Sequence, residues 1–180
     1  MDKAIQLIPL VCIRCNSLIP SSLDEGAWVC AQCGQGIVLD EEKGLAPLQV
    51  SFTAGIAANT IGRPFWVADG IVIMKRESYG SSGRQREEAL LFWGEPRRFF
   101  IPAFSTSLEQ LLAQATNLLL SPPALMAGPA ARFQPVTLSS RDVPPAAEFI
   151  VMAVEAGRQD KLKKADFTLQ LSAPSLWILP

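Results

Sequence analysis

Four cysteines form two closely spaced pairs near the start of the chain, and the sequence contains no others. The pairs are Cys12 with Cys15 and Cys30 with Cys33, and fourteen residues separate them. A Cys-x-x-Cys segment bends the backbone so that both sulfurs face one point, and two such segments supply the four thiolates of a tetrahedral zinc site. The spacing therefore predicts one structural zinc ion bound by all four cysteines.

Three other uses of these cysteines compete with zinc. Disulfide bonds need an oxidising compartment, and the first residues lack the basic region and long apolar run of a signal peptide. A thioredoxin-type redox pair opens a helix after a strand, and no such pattern surrounds either pair. A single iron ion accepts a similar ligand set, so iron stays open as the less favoured metal.

The residues around the cysteines predict short strands joined by turns. An extended apolar run at 7–11 leads into the first pair, and residues 27–29 and 37–39 predict two further strands. Gly34 directly follows the second pair, at a position where this turn favours positive φ, and Asn16 holds the matching position after the first pair.

In this pattern the chain resembles the zinc-ribbon family over about residues 7–40. The resemblance is carried by the four cysteines, by Trp28 before the second pair, and by Gly34 and Gly36 after it. It implies a small β fold held together by one metal ion, with Trp28 packed beside the metal. Zinc ribbons bind nucleic acids, dock proteins or only stabilise a fold, so the resemblance does not choose a function.

Composition limits the function classes. The chain has 180 residues, of which 49% are apolar, and a net charge of −1, which suits one full domain plus a small one. No stretch approaches the roughly 20 uninterrupted apolar residues of a membrane helix. We therefore expect no transmembrane segment and a soluble, cytoplasmic protein.

Catalytic residues are hard to find in this sequence. Histidine is absent, which removes the commonest general base, and the metal occupies every cysteine. Asp69, Glu87, Glu88, Ser81 and Ser82 are the candidates that remain, and ordinary surface polarity explains them equally well. We expect no catalytic residue, no cofactor other than the metal, and no enzyme; an enzyme of unknown reaction is the third hypothesis.

The remainder of the chain predicts a β-rich domain. Residues 40–44 are charged and end in glycine, so we place a boundary between a zinc ribbon, 1–44, and a second domain, 45–180. Alternating or compact apolar runs predict a mostly antiparallel sheet with strands at 48–52, 65–75, 88–93, 97–103, 167–171 and 175–179. Helical periodicity predicts two helices, at about 107–120, with a Thr106–Glu109 capping box, and at about 143–163. The fold class is α+β.

Two further hypotheses concern partners. The first is a non-catalytic adaptor or assembly subunit that binds another protein or itself. Six aromatic residues in strands are candidates for its surface, although we expect most to fill the core: Phe65, Trp66, Trp93, Phe99, Phe100 and Trp177. The alternative is nucleic-acid binding of the transcription-associated type, which needs a shared basic face. Its candidates, diluted by acidic neighbours, are Arg76, Arg84, Arg86, Arg97 and Arg98.

Overall fold

The computed structural model describes residues 9–40, 42–79, 83–158 and 161–180. These residues form a mixed α+β fold, which confirms the predicted class. In chain order its elements are β1 (Ala27–Val29), β2 (Gly36–Asp40), β3 (Gly44–Leu48), β4 (Val50–Phe52), β5 (Arg63–Tyr79), α1 (Gly83–Trp93), β6 (Arg97–Pro102), α2 (Leu108–Leu120), a 3-10 turn (Ser140–Asp142), α3 (Val143–Ala156), β7 (Lys161–Leu171) and β8 (Ser175–Leu179).

The smaller sheet belongs to the ribbon. It is an antiparallel meander of β1, β2 and β3, in which Trp28 pairs with Ile37 and Gly36 pairs with Leu48. The strands predicted at 27–29 and 37–39 are therefore confirmed. Of the strand predicted at 7–11, residues 7 and 8 lie outside the described residues, and Val11 makes one isolated bridge.

The larger sheet is built around the long strand β5. β6 pairs with β5 from Phe65 to Gly70, β8 pairs with its first five residues, and β7 pairs with it from Gly70 onward. Some residues of β5 pair with both β6 and β8, and Gly70 pairs with both β6 and β7. Since a strand residue has one neighbour on each side, β7 and β8 both lie on the side of β5 opposite β6. These pairings are antiparallel, as predicted, whereas β4 pairs with β8 in parallel.

Helices pack against both faces of this sheet, and they bury more of one face than of the other. Trp66, Val72 and Met74 alternate along β5 and are buried in the main core with residues of α1 and α3. On the opposite face, Phe65 and Val67 are buried with Leu118 of α2 in a second cluster. Beyond Val67 this second face is open.

The ribbon packs directly on the larger part. Ala27 of β1 belongs to the main core and forms a β-bridge with Val136, and Gly26 donates its backbone N–H to the Val136 carbonyl at 2.8 Å. Arg141 lies 3.6 Å from Asp40, at the end of β2. The boundary at residue 44 stays a prediction, and β3, which follows it, extends the ribbon's own sheet.

Residues 88–93 form part of a helix, so the strand predicted there is wrong. Ala89 and Trp93 lie four residues apart on α1 and are both buried, which gives the segment a helical inward face. The helix, α1, begins at Gly83 and ends at Trp93. The larger part therefore contains three α-helices within its described residues, where we expected two.

The second predicted helix, 143–163, is too long. α3 ends at Ala156, and from residue 161 the chain forms β7. Phe167, Leu169 and Leu171 alternate inward against the main core, so sheet pairing prevails over the helical pattern. The helix predicted at 107–120 is confirmed as α2, but its cap is Ser107, which accepts from the Gln110 N–H, and not the predicted Thr106.

Candidate metal centre

The structure brings the four cysteine sulfurs into one cluster. All four Sγ atoms lie within 4.8 Å of one another, and Cys12–Cys33 and Cys15–Cys30 are separated by 3.5 and 3.6 Å. A tetrahedron with zinc–sulfur bonds of about 2.3 Å has sulfur–sulfur edges of about 3.8 Å. A disulfide is far shorter, at about 2.05 Å, so these are four separate thiols. The cluster can hold one metal ion.

Two equivalent backbone turns position the sulfurs. In the first knuckle, which we define as residues 12–17, Asn16 donates its N–H to the Cys12 carbonyl; in the second, 30–35, Gly34 donates to the Cys30 carbonyl. Asn16 has φ of 59° and Gly34 of 73°, which confirms the predicted left-handed positions. Each turn leaves N–H groups directed at the sulfurs, as the contact of Arg14 N with Cys12 Sγ at 3.4 Å shows.

Local hydrogen bonds separate the thiol pKa values. Hydrogen bonding with the side chain and the backbone of Ser17 lowers the pKa of Cys15 to about 6. Burial raises the pKa of Cys12, but backbone N–H groups outweigh it and the pKa is lowered. The backbone N–H of Gln35 lowers the pKa of Cys33, yet burial and the neighbouring thiols raise it to about 12. Four adjacent thiolates repel one another, and a divalent cation removes that repulsion.

A small apolar cluster supports the inner side of the site. Cys12 and Cys30 are buried together with Ile19, Trp28 and Ile37. The indole ring of Trp28 therefore packs against the cysteine cluster, as predicted, and its Nε1 donates to a carboxylate oxygen of Glu25 at 3.0 Å. The cluster holds the two knuckles against the ribbon sheet.

The outer side of the ribbon exposes aliphatic side chains. Ile13 lies between two of the cysteines and is 43% exposed, and Leu18, just after the first knuckle, is 83% exposed. Leu23, in the loop before β1, is fully exposed. Exposed aliphatic side chains of this kind are candidates for contact with a partner.

No family model, curated protein or solved structure matches this chain. The functional argument therefore depends on the geometry of the site and on the surfaces around it. Among the described residues, no helix has the length and apolar character needed to cross a membrane.

The candidate arginines do not form a shared basic face. Arg76 is buried beside Glu155, and Arg98 pairs with Asp69 at 2.8 Å. The guanidinium of Arg97 lies 4.0 Å from the ring centre of Phe92, and Arg84 pairs with Glu88. Arg86 alone of the five has no ion pair within the described part of the chain.

The other candidates are also accounted for by structure. Five of the six aromatic residues are buried and Trp177 is half-buried, which confirms that most fill the core. Asp69 and Glu88 are each paired with an arginine, and Glu87 lies on the exposed side of α1. Ser81 and Ser82 lie outside the described residues.

Sequence reasoning missed one buried polar cluster. Glu155, in an otherwise apolar stretch of α3, is fully buried with Arg76 of β5, Trp93 of α1 and Arg158 around it. The sequence carried one signal of this cluster. Arg76 follows Val72 and Met74 at every second position of the strand, so its side chain lies on the same buried face. A cation at such a position requires a buried anion.

Proposed function

We propose that the ribbon binds one structural zinc ion through Cys12, Cys15, Cys30 and Cys33, and that the protein is a non-catalytic adaptor or assembly subunit. Four thiolates fill a tetrahedral coordination sphere and leave no position for substrate, as in structural zinc sites. The sulfur–sulfur distances near 3.5 Å support this geometry. Reduced thiols at this spacing suit a reducing compartment, so we place the protein in the cytoplasm.

The exposed aliphatic side chains at the first knuckle carry the adaptor proposal. Ile13 lies between Cys12 and Cys15, so bound metal fixes its backbone on both sides, and Leu18 is the first residue after the knuckle. Contacts made by a rigid surface cost less conformational entropy on binding than contacts made by a mobile loop. A rigid aliphatic surface of this kind suits the apolar centre of a protein–protein interface.

Charge supports a protein partner over a nucleic acid. In the described part of the ribbon, Asp24, Glu25, Asp40 and Glu42 outnumber Arg14 and Lys43. Phosphate binding depends on neutralisation by lysine and arginine, and this surface has an excess of carboxylates. The protein partner or self-association therefore remains the leading hypothesis.

Native mass spectrometry of the protein captured at endogenous level from its own cells tests the proposal. We expect one zinc ion per chain and a protein in fixed ratio. The double variant Ile13→Ser/Leu18→Ser should keep the zinc and lose the partner. Ile61→Ser, an equally exposed aliphatic residue outside the ribbon, is the matched control and should keep both. A zinc-loaded monomer with no partner, or bound nucleic acid, would overturn the adaptor hypothesis; iron would overturn the metal assignment.

A further inference from the structure

The second half of β5 has a free edge. β6 pairs with β5 only up to Gly70, and β7 lies on the opposite side, so within the described residues no strand pairs with 71–77 on the β6 side. A free edge presents a row of unpaired backbone N–H and C=O groups that can hydrogen-bond to another strand. No proline interrupts this segment, and the irregularity in β5 comes after it, between Glu77 and Ser78.

A groove runs along this edge beside α1. It has a volume of about 480 Å³ and is lined by Met74, Lys75, Arg76 and Glu77 of β5, by Arg86 and Leu90 of α1, and by Lys164 and Asp166 of β7. Successive side chains of a strand point to opposite faces. Because four consecutive residues of β5 line the groove, it is not confined to one face of the sheet. A channel between an edge strand and a helix is the geometry in which extended peptides add to a sheet.

The groove carries two cations without counterions. Lys75 and Arg86 form no ion pair with any described residue, and both are exposed. The other charged lining groups are compensated: Arg76 by Glu155 at 2.8 Å, Glu77 by Lys163 at 3.4 Å, and Lys164 by Asp166 at 2.7 Å. The remaining positive charge favours an occupant that carries carboxylates.

Apolar side chains flank these cations on both sides of the edge. Ile73 on the open sheet face is 60% exposed, and Leu90 on α1 is 43% exposed. An added strand places alternate side chains on the two faces, so its acidic residues can reach Arg86 on the α1 side while its aliphatic residues contact Ile73 on the open face.

We propose that a peptide segment with alternating acidic and aliphatic residues binds to the edge of β5 beside α1 as an additional strand. Its backbone pairs with residues 71–77, its carboxylates pair with Arg86 on the α1 side, and its aliphatic residues contact Ile73 on the open face of the sheet. This surface is separate from the ribbon and does not depend on the metal or on Ile13 and Leu18.

The test uses the full-length, zinc-loaded protein and a capped hexapeptide of alternating glutamate and valine as the probe. Titration followed by amide NMR should shift the backbone N–H signals of residues 71–77 and slow their hydrogen exchange. Arg86→Gln should weaken binding about two- to fivefold, as expected for an exposed charge pair, whereas Lys75→Gln, on the opposite face of the sheet, should change the affinity less. Lys43→Gln makes the same charge change on the ribbon and should leave the affinity unchanged.

Three outcomes would overturn the proposal. The first is equal binding of the same peptide with alternate backbone amides N-methylated, since that modification removes the strand hydrogen bonds. The second is equal binding of the glutamine–valine analogue. The third is displacement by inorganic phosphate with the same shifts, which would identify a small-anion site. The Ile13→Ser/Leu18→Ser variant should bind the probe normally, so failure here is distinguishable from failure of the ribbon's docking role.

Discussion

Arg76 and Glu155 meet inside the protein as an ion pair, with 2.8 Å between Nε and Oε2 and side chains 1% and 0% exposed. The other carboxylate oxygen accepts hydrogen bonds from Trp93 Nε1 at 2.7 Å and from Arg158 Nε at 2.6 Å. One carboxylate therefore connects β5, α1 and the C-terminal end of α3.

Glu155→Gln should lower the free energy of unfolding by about 3–5 kcal/mol, because it removes the carboxylate charge that faces the buried Arg76 cation. Urea unfolding at pH 7 measures the change. Glu148→Gln, an exposed glutamate on the same helix, is the control and should stay within about 0.5 kcal/mol of the unmodified protein.

Replacing both partners separates the charge from the packing. Arg76→Met/Glu155→Gln should recover most of the stability lost in Glu155→Gln, since it removes the buried cation while the glutamine oxygen still accepts from Trp93. A Glu155→Gln variant as stable as the control would show that the ion pair contributes little.

Removal of the metal should affect more than the ribbon. Without metal the ribbon loses the bonds that fix its fold. The main core then loses Ala27 and the Gly26–Val136 hydrogen bond of 2.8 Å. We expect the larger sheet and its helices to remain folded but to melt several degrees lower, at about 2–4 °C per kcal/mol. Calorimetry with and without a chelator measures this, with Cys30→Ser as the genetic equivalent. An unchanged second transition would show that the two parts are independent.

Zinc affinity should rise with pH. Cys33 has a pKa of about 12 in the metal-free protein, so at neutral pH it must release its proton to become a ligand. Each proton released on binding changes the apparent affinity about tenfold per pH unit, so we expect at least that slope between pH 6 and 8. Competition with a chromophoric chelator at several pH values measures it. A flat profile would mean that the ligands are already deprotonated.

Gly36 should be intolerant of any side chain. A Cβ there would overlap the carbonyl of Leu48 and come within 2.8 Å of Val50, so Gly36→Ala must separate β2 from β3. We expect a loss of about 1–3 kcal/mol, read as faster hydrogen exchange in those strands. Gly26→Ala is the control, because a Cβ at Gly26 meets nothing within 4 Å. Equal effects of the two variants would contradict this account.

The ribbon could be predicted from sequence because its determinants are local. The cysteine spacing and the turn residues Asn16 and Gly34 specify the two knuckles without reference to the rest of the chain. Strands with clear alternation, such as 167–171, were also predictable. The four-residue apolar run Leu90–Trp93 suits a strand or a helix equally, and only the packing of Ala89 and Trp93 on the sheet decides between them.

The Arg76–Glu155 ion pair and the free edge of β5 were harder to predict, because both depend on residues that are far apart in the sequence. Glu155 and Arg76 are 79 positions apart in the sequence, and neither carries a motif. The free edge of β5 exists because β6 ends its pairing at Gly70, which no local pattern specifies.

The parallel pairing of β4 with β8 has a consequence for biosynthesis. Thr53, just after β4, is joined to Ile178 through both its backbone N–H and its hydroxyl, across 125 positions in sequence. A ribosome that has made β4 must add all the intervening residues before its partner strand exists. Contacts of such high sequence separation form late and slow the folding of a domain. The ribbon, whose ligands are only 21 positions apart, can acquire its metal while the rest of the chain is still being translated.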